Sequence, residues 1–219
     1  MHIVTGAAGF VGSNIILALN ERGVREILAV DDLTCGDKFR NLRGCDIADY
    51  MDKTEFRDFI RRGAPGLEAT SVLHQGACAD TTESDGRYML DNNFTYSKEL
   101  LHWAADRRVP LVYASSASVY GSARHCAETP ECEGPLNVYA YSKWLFDDYV
   151  RRQMTGMGST VVGLRPDPDE QEVGPGLRGP AQDHDRREQR AVSEPSTAPP
   201  LATHGNPSDL RTTRFAARG

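Results

Sequence analysis

The sequence predicts an α/β protein built on a doubly wound parallel sheet. Over the first 165 of the 219 residues, short β-rich apolar runs alternate with amphipathic helical stretches. A glycine-rich turn follows the first of these strands, and an acidic residue ends the second. Strands that alternate with helices form βαβ units, which place helices on both faces of a parallel sheet.

The elements can be read along the chain in order. The first helix is predicted from Val11, Ile15, Ile16 and Leu19, a later one over about 91–105 from Tyr96, Leu100, Leu101 and Ala104, and the last over 139–152 from Leu145, Phe146, Tyr149 and Val150. The predicted strands are HIVTG, EILAVD, TSVLHQ, VPLVYASS and STVVGLR.

The turn Gly6-Ala7-Ala8-Gly9-Phe10-Val11-Gly12 lies between the first strand and the first helix. Glycines at these positions allow a tight turn, a close approach of backbone to a pyrophosphate, and close packing of helix on sheet. Asp31 follows at the end of the second strand, where an acid binds a ribose hydroxyl. The pattern predicts a Rossmann-type dinucleotide site rather than a merely structural turn.

A second group of residues combines Tyr139 and Lys143, four residues apart on a predicted helix, with Ser116 at a strand end. That spacing puts the two helical side chains on one face. An ammonium near a phenol favours the phenolate, and a serine hydroxyl can bind the same substrate oxygen. We interpret the three residues as catalytic; a packed tyrosine beside an exposed lysine is the alternative.

Other features predict less. The net charge of −6 gives no general attraction to nucleic acid or to an anionic membrane, and we expect a soluble, cytoplasmic protein. The five cysteines have no CxxC spacing and the histidines His74, His102 and His125 no ligand spacing, so no metal site is predicted. Asp147, Asp148, Arg151 and Arg152 are predicted to form a solvated helix face.

The segments GAAGFVG, YASSASVYGS and PLNVYAYSK resemble the extended short-chain dehydrogenase/reductase family of nucleotide-sugar epimerases and dehydratases. Within it, VDDLTCGDKFRNL, CDIADYMDK, HQGACADTTESDGRYMLDNNFTYSKELLH and PLNVYAYSKWLFDDYVRR are similar to the ADP-heptose 6-epimerases. The resemblance covers residues 1–165. It implies inversion of an ADP-linked heptose at C6 through bound NADP, a role in lipopolysaccharide biosynthesis, and a homo-oligomer.

The resemblance also implies residue roles. Tyr139 would be the acid/base, Ser116 would bind the reacting oxygen, and Lys143 would hold the nicotinamide ribose. The implied cofactor residues are Gly6, Gly9, Phe10, Val11, Gly12, Asp31, Asp32, Lys38, Lys53, Gln75, Gly76, Ala77, Cys78, Ala79, Asn92 and Lys143. Asp32 and Gln75 stand where the family has Asn and Glu. The carboxylate of Asp32 would repel the 2′-phosphate of NADP, so NAD remains the alternative cofactor.

The chain changes character after Arg165. Residues 166–219 hold eight of the twelve prolines, no isoleucine or lysine, and one aromatic residue. Such a composition predicts a disordered tail. The family instead continues with an aromatic-Asn-Val-Tyr-Gly-Pro segment, a second catalytic lysine and a substrate-binding domain, which we predict to be missing. A shifted reading frame would explain the change, and the other two frames of the coding DNA test it.

Two domains are therefore expected, an NAD(P)-binding domain over 1–165 and a Pro/Arg-rich tail over 166–219. Three functions remain open. The first is a heptose-nucleotide epimerase, and the second is another nucleotide-sugar 4-epimerase or 4,6-dehydratase. The second is weakened because Ala117-Ser118 stands where dehydratases carry Asp-Glu. The third is a non-catalytic remnant that binds NAD(P).

Overall fold

A computed structural model describes residues 1–123, 127–153 and 158–165 of the chain. The predictions for the tail, and those for Cys126 and His125, fall outside these residues. The boundary predicted near Arg165 therefore stays a prediction.

The described residues form a six-stranded parallel sheet with helices on both faces, which confirms the predicted fold class. The strand order is β3-β2-β1-β4-β5-β6. In chain order the elements are β1 (His2–Thr5), α1 (Phe10–Glu21), β2 (Ile27–Asp31), α2 (Phe39–Leu42), β3 (Asp49–Asp52), α3 (Lys53–Arg61), β4 (Ser71–His74), α4 (Gly86–Leu90), a π-helical turn (Asp91–Thr95), α5 (Tyr96–Asp106), β5 (Leu111–Ala114), α6 (Val138–Gln153) and β6 (Val161–Leu164).

Two apolar clusters sandwich the sheet because adjacent residues of a strand point to opposite faces. Ile3 belongs to the larger cluster, which includes Phe56, Leu100 and Phe146 from α3, α5 and α6. Val4 belongs to the smaller cluster, where α1 covers the other face. This two-sided burial explains why the central strands are apolar at nearly every position.

The order of the strands reverses at β1, which pairs with β2 on one side and with β4 on the other. The connections leaving β1 and β4 therefore diverge to opposite sides and leave a crevice at the carboxyl ends of these strands. Ligands bind at this position in open parallel sheets.

Three details differ from the sequence-based expectations. Strand β3 and helix α3 have no predicted counterparts. The helix expected over about 91–105 is part of a longer helical run that starts at Gly86 and contains the π-helical turn. Val11 does not pack on the sheet with Ile16, because it is 52% exposed at the first turn of α1.

Candidate functional site

A cavity of about 710 Å³ opens at the carboxyl ends of β1, β2 and β4. Every predicted cofactor residue except Lys143 lines it. The lining also includes residues that were not predicted to belong to the site, namely Val30, Thr34, Cys35, Tyr88 and Tyr96. No motif marks the aromatic pair Tyr88 and Tyr96 as cavity residues, and Tyr96 served only to predict a helix.

The glycine turn packs too closely for side chains. A Cβ on Gly12 would lie 2.1 Å from the carbonyl oxygen of Gly6, and a Cβ on Gly6 would lie 2.7 Å from the backbone of Gln75 and Gly76. Gly6 also has a φ of +66°, in the left-handed region that favours glycine. The turn thus lies between α1 and the connection that follows β4, and the N-terminus of α1 lies beside the cavity.

Two acid–lysine pairs line the cavity beyond β2. The Asp31 carboxylate accepts hydrogen bonds from the amides of Ala8 and Asp32, both at 2.7 Å, and is ion-paired with Lys38. The Asp31 carboxylate is therefore paired with groups of the protein itself, and its hydrogen bond to Ala8 attaches the glycine turn to the end of β2.

The second pair is more exposed. Lys53 Nζ lies 3.2 Å from Asp32 Oδ2 and donates to Asn92 Oδ1 at 3.1 Å. Hydrogen bonds from Thr34, together with Lys53, lower the pKa of Asp32 to about 2. Asp32 is thus ionised at neutral pH, and its side chain keeps 38% of its exposure, whereas that of Asp31 keeps 4%. The two lysine charges are balanced by two carboxylates.

The connection after β4 contributes Gln75 to Ala79, and the π-helical turn holds part of it in place. Asn93 accepts a hydrogen bond from the Cys78 amide at 2.7 Å and donates to Cys78 O at 2.9 Å. It also donates to Ser142 on α6 at 3.0 Å. Asn93 thereby links the cavity wall to the helix that carries Lys143, and no pattern in the sequence predicts this role.

Ser116, Tyr139 and Lys143 do not line the cavity; Ser116 follows β5 closely in sequence, and Lys143 contacts the carboxyl end of β5. Lys143 is buried, and its ammonium donates to Ala114 O at 2.9 Å. Burial lowers the Lys143 pKa to about 8, and the nearby charge of Asp147 acts in the opposite direction. The Ser116 hydroxyl lies 2.7 Å from that of Ser118. Tyr139 is the second residue of α6 and precedes Lys143 by one turn, as the spacing predicted.

A buried ion cluster lies behind this site. Arg165 Nη2 contacts Asp147 at 2.7 Å and Glu133 at 2.5 Å, and Arg151 binds Glu133 through two hydrogen bonds of 2.8 Å. Asp147 is only 2% exposed, so the predicted solvated face is wrong at this position. The helical spacing could not reveal this, because the partner Arg165 follows β6, far from α6 in the helical pattern.

His74 is a structural residue, as expected. Its ring is hydrogen-bonded to Thr5 at 2.6 Å and to Ser97 at 2.8 Å, and burial lowers its pKa to about 3. The cysteines of the described ranges, Cys35, Cys45, Cys78 and Cys132, are free thiols. Within the described ranges, no three His, Cys, Asp or Glu side chains are grouped so as to hold a metal, and no helix is long and apolar enough to cross a membrane.

This geometry fits a dinucleotide. A nucleotide pyrophosphate needs close access to backbone amides, and the Gly6–Gly12 contact leaves room for no side chain there. The crevice also lies at the reversal of strand order, where dinucleotides bind. The fold and the site therefore define a dinucleotide-binding protein.

Comparison with known proteins agrees with that class. Residues 2–191 match the model of the NAD dependent epimerase/dehydratase family, and the chain belongs to this family. It is 55% identical over 163 residues to the ADP-L-glycero-D-manno-heptose-6-epimerase of Thiobacillus denitrificans, covering 74% of this chain and 49% of the relative. The chain thus spans about half the length of that curated relative.

Solved structures give the same picture. The ADP-L-glycero-D-manno-heptose-6-epimerase of Helicobacter pylori matches with a TM-score of 0.66 and 28% identity, over 75% of this chain and 53% of that one. A UDP-glucose-4-epimerase from Stenotrophomonas maltophila, with bound NAD, matches with a TM-score of 0.64 and 28% identity, over 75% and 52%.

Proposed function

We propose that the chain is the cofactor-binding part of a nucleotide-sugar epimerase whose substrate is an ADP-linked heptose inverted at C6. The observation that carries the proposal is the cavity at the carboxyl ends of β1, β2 and β4, lined by the glycine turn and the Gln75–Ala79 connection. The 55% identity to an ADP-heptose epimerase favours this substrate over other nucleotide sugars.

The proposed cofactor is NADP, with NAD as the alternative. The phosphates would lie at the glycine turn and the start of α1, where backbone amides and the helix dipole favour negative charge. Lys38 and Lys53 would bind the adenosine end, since each ammonium has three donors and uses two within the chain. When bound, the nicotinamide would supply a reversible hydride acceptor.

The protein's own groups would handle the proton. Tyr139 would take the proton from the substrate hydroxyl as hydride leaves the same carbon. The family's second catalytic lysine would supply the proton when hydride returns on the opposite face, and that residue belongs to the part of the family pattern that the resemblance over residues 1–165 does not cover. Ser116 would hydrogen-bond the reacting oxygen. Lys143 would stabilise the tyrosine phenolate and bind the nicotinamide ribose, and a buried ammonium does both better because water screens it less.

The remaining assignments follow from the same resemblance. Residues 1–165 would be the NAD(P)-binding domain, and residues 166–219 a tail without the substrate domain. The protein would act in the cytoplasm, in lipopolysaccharide biosynthesis, as a homo-oligomer.

Titration of the full chain with NADPH and NADH, followed by cofactor fluorescence, tests the cofactor site. Saturable binding is expected, and Tyr139→Phe should bind equally well, since the phenol oxygen serves the proton transfer. Incubation with ADP-D-glycero-D-manno-heptose and chromatography of the epimers then tests the reaction, with Tyr139→Phe as the inactive control. Binding without epimer formation would leave a non-catalytic NAD(P)-binding protein, and absence of binding would refute the proposal.

A further inference from the structure

The carboxyl end of β5 is attached to α6 by two neighbouring turns of that helix. Lys143 donates to the carbonyl of Ala114 at 2.9 Å. One turn further on, Asp147 accepts hydrogen bonds from Tyr113 at 3.0 Å and from Ser115 at 2.6 Å. Three consecutive residues of β5 and its end are thereby fixed to one helix face, immediately before Ser116.

The Asp147 carboxylate is the charged member of this attachment. It is 2% exposed, and a buried carboxylate stays ionised only when cations and hydrogen bonds compensate it. Arg165 supplies the cation at 2.7 Å, and Tyr113 and Ser115 supply neutral donors. The negative charge is thus held in place one helical turn from Lys143.

We propose that Asp147 is a positioning residue for the proposed reaction: its buried carboxylate holds the Lys143 ammonium charged and in place against the end of β5. This inference rests on the function proposed above for Lys143. Its position supports the role, because residues at i and i+4 share one helix face. The favourable interaction of Asp147 with Lys143 also opposes the loss of charge that burial imposes on the lysine.

Few other groups in the described part of the chain act on Lys143. From β4, His74 interacts electrostatically with the lysine, but burial lowers the pKa of His74 to about 3, so it is neutral near pH 8. From β5 the contact is the uncharged carbonyl of Ala114. Asp147 is therefore the charge whose removal should change the titration of Lys143.

The chain's composition makes a direct measurement possible. It contains four lysines, Lys38, Lys53, Lys98 and Lys143. With ¹³C-labelled lysine, four ε-carbon signals can be followed by NMR as pH is raised, and Lys143→Arg assigns the signal of Lys143. We expect the wild-type Lys143 to titrate near pH 8. In Asp147→Asn its midpoint should fall by about one pH unit, the low end of the shift caused by a close opposite charge.

Two controls separate this effect from loosening of the structure. Asp148→Asn removes the same charge from the next residue, which pairs with the exposed Arg152 at 2.7 Å and with Arg151 only at 3.9 Å, and should leave the Lys143 midpoint unchanged. Glu133→Gln breaks the ion cluster at its other carboxylate, which contacts Arg151 and Arg165. It should lower the melting temperature without moving the midpoint by more than a small fraction of a pH unit.

The double variant D147N/R151Q keeps the cluster neutral, and it replaces the single variant if that one fails to fold. A Lys143 midpoint that stays at the wild-type value in D147N or in the double variant overturns the inference, as does an equal shift in Glu133→Gln. NADPH titrations of the same samples report separately on the proposed function. If the midpoint shifts but no variant and no wild-type sample binds cofactor, the positioning of Lys143 stands and the proposed function fails.

Discussion

Replacing Gly12 with alanine should damage both the stability and the cofactor site of the protein. The added Cβ would lie 2.1 Å from the carbonyl oxygen of Gly6 and 2.9 Å from the Cα of Ala7. Real Cβ atoms essentially never come closer than 3.0 Å, so α1 and the turn would have to separate by about 1 Å. The clash is with backbone, and rotation of a side chain cannot relieve it.

Overpacking of a close-packed site costs about 1–3 kcal/mol. Because the clash is with backbone we take the upper end of this range, about 3 kcal/mol, and alanine returns up to about 1 kcal/mol of helix propensity in α1, so the expected net loss is about 2 kcal/mol. For a domain of this size the melting temperature should fall by roughly 4–8 °C, measured by differential scanning calorimetry. The amides of the turn would move with it, so NADPH affinity should fall at least about tenfold, since 1.4 kcal/mol corresponds to that factor.

Gly44→Ala is the matched control. A Cβ there would lie 3.8 Å from Leu17, an ordinary contact, and Gly44 has no positive φ. This variant should keep the wild-type melting temperature and NADPH affinity. If Gly12→Ala behaved like Gly44→Ala, the close approach of the turn to α1 would not be the reason for glycine at that position.

Three further predictions concern the cofactor pairs, the buried histidine and the core. Asp32→Asn releases Lys53 and removes a repulsive charge, so the ratio of NADPH to NADH affinity, measured by fluorescence titration, should rise several-fold. Burial lowers the His74 pKa to about 3, so below pH 6.5 the unfolded chain binds a proton that the folded chain does not. The free energy of unfolding should therefore decrease as the pH is lowered, by up to about 1.4 kcal/mol per pH unit. Urea melts between pH 4.5 and 7 should show a shallower slope for His74→Gln than for His102→Gln, and an equal slope would contradict this. Phe56→Ala should cost about 3–5 kcal/mol in the same melts, because its ring is fully buried.

The sheet could be predicted from sequence wherever a strand is buried on both faces. HIVTG and EILAVD are apolar runs of that kind, and they became β1 and β2. Strand β3, with sequence DYMD, escaped prediction because it lies at the edge of the sheet, is short, and has an aspartate at each end. Helix α3, which directly follows β3, was not predicted either.

Site residues could likewise be predicted only where the pattern that marks them is local in the sequence. The glycine turn and the Tyr139–Lys143 pair are local patterns, so spacing along the chain was enough to predict them. Asp147 and Asn93 act through partners 15 or more residues away, and no local pattern marks such contacts. Asp147 was even predicted to be solvated, because neighbouring aspartate and arginine residues on a helix usually pair at the surface.

The central position of β1 has a consequence for how the protein folds. Val4 is paired in the sheet with Ala29 on one side and with Leu73 on the other, a separation of 69 residues along the chain. The first strand therefore has only one neighbour until β4 has been synthesised, and during that interval one of its edges can pair with another chain. At a synthesis rate of about 5–20 residues per second this lasts several seconds. Amino-terminal fragments that stop before β4 should consequently aggregate more readily than longer ones.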